Sequence, residues 1–119
     1  RKILNLGHTA GHAIENLMQY RITHGEALRQ GMLFELELAL NLDWISENRY
    51  NQLTSLVSLI PATTEIPGFS LEDLVQAMVL DKKNQHQTIS FLLPRQSVGK
   101  IEEIKLTGEK LIQIMKNNR

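Results

Sequence analysis

Apolar residues recur along this chain mostly at three- and four-residue intervals, the period of helices that bury one face. Ala10, Ala13, Ile14 and Leu17 predict a first helix over about Thr9–Met18. From Glu26 to Leu42 apolar residues fall on nearly all sides (Leu28, Met32, Leu33, Phe34, Leu36, Leu38, Ala39, Leu40), the pattern of a helix in the middle of a bundle. A third helix is predicted over about Asp43–Leu59, closed by Pro61. Two prolines and a glycine make Pro61–Gly68 a loop. Ser70-Leu71-Glu72-Asp73 resembles a capping box and opens a helix to about Asp81.

The period then changes. Ile89, Phe91 and Leu93 alternate as in a short strand, and Ile104 and Leu106 can supply its partner beyond a Pro94–Gly99 turn. Thr107 can cap a last helix through Leu111, Ile112 and Met115. The expected fold class is mainly α, with one short β-hairpin. Leu and Ile outnumber Val (Val57, Val75, Val79, Val98), which agrees with that leaning.

Composition narrows the function. The chain has 119 residues, of which 42% are hydrophobic and 22% charged, enough apolar material for a core. Thirteen basic and thirteen acidic side chains cancel, which argues against broad electrostatic capture of nucleic acid or an anionic membrane. Without cysteine there is no disulfide, thiolate metal site or thiol nucleophile, a composition that suits the cytoplasm. No apolar run reaches the ~18 residues of a membrane span. The chain opens on Arg1 and enters its most chemically dense stretch at once, so it is expected to be the C-terminal part of a longer protein.

Three of the four histidines fall in the first 24 residues. On a helix, His8 and His12 would be offset by only about 40° about the axis, so both address one site. His24 follows an expected turn, and a helical hairpin would bring it back beside them. Neutral imidazole is a common zinc ligand, and these residues alone suggest a three-histidine zinc site or three ordinary surface and capping histidines. Gly7 and Gly11 flank the pair one turn apart. Glycine costs ~1 kcal/mol relative to alanine within a helix, so close packing or close approach of a ligand is needed to explain them. Arg1 and Asn5 would lie near the same helix start, a setting suited to an anion such as phosphate.

Taken together, the run from Arg1 through Asn5, Gly7, His8, Gly11 and His12 to Glu15 resembles the signature of the 3-dehydroquinate synthase family. His24-Gly25-Glu26-Ala27 with Gly31-Met32 is similar to that family's next motif. Asp81-Lys82-Lys83 and Val98-Gly99-Lys100 extend the likeness in order. Ala10, Arg29-Gln30 and Ser97 depart from the family's usual residues.

The resemblance implies a C-terminal helical metal- and substrate-binding domain over residues 1–119, with an N-terminal NAD-binding domain outside this chain. It implies conversion of 3-deoxy-D-arabino-heptulosonate 7-phosphate to 3-dehydroquinate and phosphate, a step of the shikimate pathway, with NAD and a divalent metal, zinc foremost. It also implies a homodimer in the full-length enzyme, and no activity for this part alone. By motif position, His8 and His24 resemble metal ligands, the third ligand being a glutamate before Arg1. His12 resembles a phosphate-site histidine, together with Asn5 and Lys82, and Arg1 the arginine that pairs with substrate carboxylate. The rivals are another sugar-phosphate cyclase or a metal-dependent polyol or alcohol dehydrogenase on the same plan, and a non-catalytic helical module.

Overall fold

A computed structural model describes residues 6–81 and 88–117. Five helices and one hairpin follow in the order α1 (His8–Leu17), α2 (His24–Asn41), α3 (Glu47–Val57), α4 (Leu71–Asp81), β1 (Thr88–Pro94), β2 (Ile101–Thr107) and α5 (Gly108–Lys116). This is the mainly helical architecture that the spacing predicts.

The central position of α2 follows from its sequence. It packs against α1, α3, α5 and β1, and buries Ala27, Leu36, Leu38 and Ala39 on the way. The main core gathers Leu38, Met78, Ile89, Phe91, Leu93 and Leu111, all fully buried, from α2, α4, β1 and α5. A smaller cluster of Ile14, Ile22 and Ala27 lies between α1 and α2, with Met18, Ile66 and Leu74 packed on it.

The hairpin has the expected register. β1 and β2 pair antiparallel, with Ile89 opposite Leu106 and Phe91 opposite Ile104. Along β1 the odd-numbered Ile89, Phe91 and Leu93 are buried, as a two-residue period requires. Gly99, at φ +82°, takes the left-handed conformation in the turn. Thr107 caps α5 by accepting from the Lys110 N–H at 3.1 Å, and Ser70 does the same for α4 from Asp73 at 3.0 Å.

Two boundaries differ from the sequence reading. The third helix begins at Glu47, because Asp43 adopts φ +63° and Ser46 takes the N-cap, accepting from the Arg49 N–H at 3.1 Å. It ends at Val57, and the backbone continues to Ile60 as turns. Gly7 stands outside the first helix, as its N-cap at φ +79°.

Candidate functional site

The site is built where α1 and α2 cross, and glycine lets them cross closely. A methyl group on Gly31 would stand 2.5 Å from the Gly11 nitrogen, 2.9 Å from its Cα, and nearer still to the Gly7 carbonyl oxygen. One on Gly7 would meet the Met32 side chain at 2.7 Å. Gly31 is thus explained by backbone packing against Gly7 and Gly11, and Gly7 by its left-handed φ together with the Met32 and Leu28 side chains.

The turn between the helices places His24. Gln19 and Tyr20 adopt left-handed φ of 55° and 61°, stabilised by bonds from the Gln19 N–H to the Asn16 carbonyl (3.0 Å) and from the Tyr20 N–H to the Glu15 carbonyl (2.9 Å). A capping box then starts α2: Thr23 accepts from the Glu26 N–H, and the Glu26 carboxylate reaches back to Thr23. His24 becomes the first helical residue, with its ring against Glu15 and His8 of α1.

The three imidazoles meet there. His8 and His12 stack with ring centres 5.6 Å apart and planes 14° from parallel. His8 and His24 lie 5.7 Å apart, tilted by 41°. His8 is partly buried, whereas His12 and His24 are exposed. Burial pushes the His8 pKa below its ordinary value, the neighbouring His12 and His24 lower it further, and Glu15 opposes them. The neutral form, which carries a lone pair for a metal, is favoured. Nδ1 of His24 lies 3.0 Å from the Glu15 carboxylate. Among the described residues, no three His, Asp or Glu side chains form a complete metal cage. Arg1, Asn5 and Lys82, the remaining residues singled out in the sequence, lie outside the described residues.

Two buried carboxylates hold this end of the fold, and the hydrophobic pattern gave no sign of either. Glu35, at 4% exposure, accepts from the N–H of Gly7 (2.9 Å) and of Ala10 (3.3 Å). Gly7 has no side chain to cap α1, so a carboxylate from α2 takes over orphan donors of its first turn. Glu26 accepts from the N–H groups of Thr63 (2.5 Å) and Thr64 (2.9 Å) and from the Thr64 hydroxyl (2.6 Å). The Thr64 hydroxyl foremost, then the two N–H groups, hold its pKa at about 2. The 61–70 loop is thereby fastened to the start of α2.

Sequence and fold are shared with known proteins. The family model described as 3-dehydroquinate synthase C-terminal matches residues 1–84. The chain belongs to that family. It is 41% identical over 117 residues to the 3-dehydroquinate synthase of Thermoanaerobacter sp. (strain X514), covering 98% of this chain and 33% of that protein. To the 3-dehydroquinate synthase of Alkaliphilus metalliredigens (strain QYMF) it is 44% identical over 112 residues, covering 93% and 31%. The chain thus spans about a third of the length of these curated relatives.

Among solved structures, a 2-deoxy-scyllo-inosose synthase superposes with a TM-score of 0.68 at 21% identity, over 98% of this chain and 32% of that one. A second, complexed with carbaglucose-6-phosphate, NAD+ and Co2+, gives a TM-score of 0.72 at 22% identity, over 98% and 34%. At such identities the likeness establishes the fold alone, shared with about a third of each of these synthases. No helix among the described residues is long and apolar enough to cross a membrane.

Proposed function

We propose that this chain is the metal- and phosphate-binding part of a 3-dehydroquinate synthase, which converts 3-deoxy-D-arabino-heptulosonate 7-phosphate to 3-dehydroquinate and phosphate. The observation that carries the reading is the meeting of His8, His12 and His24 at one end of α1 and α2, within the sequence motifs of the family.

His8 and His24 would hold the divalent metal. Two imidazoles on one tetrahedral zinc, with Zn–N about 2.1 Å, have ring centres roughly 5 Å apart, and the tilted His8–His24 pair is close to that. The chemistry of the donors also fits, since His8 is biased towards its neutral form. In the stacked His8–His12 pair the rings face each other, so their in-plane lone pairs run side by side instead of towards a shared centre. That favours two histidine ligands over three and leaves His12 for the substrate. In this reading the third ligand is a glutamate in the part of the relatives that this chain does not span. NAD belongs there too, because the described residues hold no glycine-rich turn between a strand and a helix at which its phosphates could sit.

Bound in the full-length enzyme, the metal would polarise substrate oxygens, and NAD would take up and return a hydride. This chain's residues orient the substrate around that chemistry. His12, one turn beyond His8 on the same face, holds the phosphate with Asn5 and Lys82, while Arg1 pairs with the carboxylate. Fixing the phosphate before it leaves removes orientational freedom from the elimination step. Alone, the 119-residue chain should release no phosphate from this substrate.

The experiment is to replace each histidine in the full-length protein and measure metal content and steady-state kinetics. His8→Ala and His24→Ala should each deplete the metal. His12→Ala should keep it and lose roughly 10- to 100-fold in kcat/KM, as a charge-assisted phosphate contact of ~1.5–3 kcal/mol would give. Zinc loss from His12→Ala as complete as from His8→Ala would restore the three-histidine site. The structural neighbours favour one second reading, a cyclase acting on a hexose phosphate. Phosphate release from glucose 6-phosphate, with none from the heptulosonate, would establish it instead.

A further inference from the structure

The contact between Glu15 and His24 has no part in the scheme above, yet it bears directly on one of the two proposed ligands. Glu15 lies seven residues after His8 and three after His12 on α1, so the three side chains share one side of the helix. Its side chain is only 13% exposed, and Oε2 sits 3.0 Å from Nδ1 of His24, the first residue of α2. An ionised carboxylate can only accept hydrogen bonds, so Nδ1 must carry the proton. In the neutral ring that leaves the lone pair on Nε2.

We infer that Glu15 is a positioning residue: it keeps the proton of His24 on Nδ1, fixes the ring, and leaves Nε2 as the nitrogen offered to a divalent cation. The inference rests on the proposed function for the identity of the ligand, and on the structure for the hydrogen bond. Metal-binding histidines commonly donate their other ring N–H to a carboxylate or carbonyl, which sets the tautomer and raises ligand basicity. The local backbone supports the same arrangement. The turn bonds to the Asn16 and Glu15 carbonyls and the Thr23–Glu26 capping box fix both ends of the contact. The His24 side chain is more than half exposed, and among the described residues Glu15 and the tilted ring of His8 are what it rests against.

The test uses the metal-free 119-residue chain, labelled with 15N, and its Glu15→Ala and Glu15→Gln variants. Long-range 1H–15N spectra at pH 8 report which ring nitrogen of His24 is protonated. The wild type should show Nδ1–H, Glu15→Ala the Nε2–H form that a free imidazole favours, and Glu15→Gln, whose amide oxygen can still accept, partial rescue. Zinc titration of the same samples should show ~10- to 100-fold weaker binding in Glu15→Ala, with circular dichroism unchanged. An unchanged tautomer in Glu15→Ala would overturn the inference, and so would a changed tautomer with unaltered zinc affinity. Complete loss of zinc would also overturn it by making Glu15 a ligand. A wild-type chain that shows Nδ1–H but takes up no zinc would defeat the metal reading of the proposed function, while the tautomer result upholds the role of Glu15.

Discussion

The two ends of this fold are held together by different physics. At the hairpin end, Phe91, Ile89 and Leu93 from one strand face pack with Met78 and Leu111, and no buried charge among the described residues takes part. At the histidine end, helices meet through glycine backbones, and two buried carboxylates satisfy N–H groups distant in sequence. Apolar burial is non-directional and tolerates exchange of one hydrophobe for another. A carboxylate accepting from backbone donors fixes position to a fraction of an ångström and loses its value when moved. A site that must converge several imidazoles is better served by the second kind of construction.

The largest effect should come from the hairpin end and leave the site's chemistry intact. Phe91 is fully buried at the centre of the main core, and Phe91→Ala removes most of its contacts. A loss of about 4 kcal/mol in urea unfolding is expected, from lost transfer energy plus the cavity left behind. In the fraction that remains folded, zinc affinity should be unchanged. If affinity falls along with stability, the two ends are coupled and the contrast between them fails.

The hairpin end was also the more legible one in the sequence. Alternation at Ile89, Phe91 and Leu93 predicted both the strand and the face it buries, because each choice there is local. Thr107 and Ser70 were readable as caps for the same reason, since cap and donor lie three residues apart. The hairpin of α1 and α2 was foreseen, and with it the meeting of the three histidines. Glu26 and Glu35 were not, because a glutamate buried for donors far along the chain looks like any solvated charge in a pattern of apolar positions. The left-handed backbone of Gly7, at the N-cap of α1, likewise leaves no mark in the pattern of apolar positions. The late start of α3 has a similar cause: Asp43 leaves the helical region while its neighbours still read as helix formers.

Gly31→Ala attacks the other end and should couple stability to site geometry. The added methyl meets backbone atoms of Gly7 and Gly11, which cannot swing aside as a flexible side chain could. Relief requires α1 and α2 to move apart, at a cost of about 3 kcal/mol, the upper part of the range for overpacking. His8 and His24 ride on those two helices, so zinc affinity should fall together with stability. Retention of full affinity at reduced stability would show that the histidines adapt to the spacing, and that the close crossing serves packing alone.

The smallest effect sharpens the contrast between local and distant caps. Thr107 caps α5 through the Lys110 N–H, three residues along the same chain segment, at an exposed position. Removing the hydroxyl in Thr107→Ala should cost about 1 kcal/mol, since water can take over the freed donor. The hairpin register just before it is held by pairing along the whole ladder from Thr88–Thr107 to Pro94–Ile101. That cost should therefore appear in the unfolding midpoint with neither a change in denaturant slope nor any effect on zinc affinity. The cap of α1 has no such reserve: Glu35 reaches Gly7 and Ala10 from another helix, in a buried setting that water does not replace. A loss from Thr107→Ala well above 1 kcal/mol, or one that reached the histidines, would mean that the hairpin end depends on directional bonds, such as that from the Thr9 hydroxyl to the Ser90 carbonyl, as much as on apolar packing.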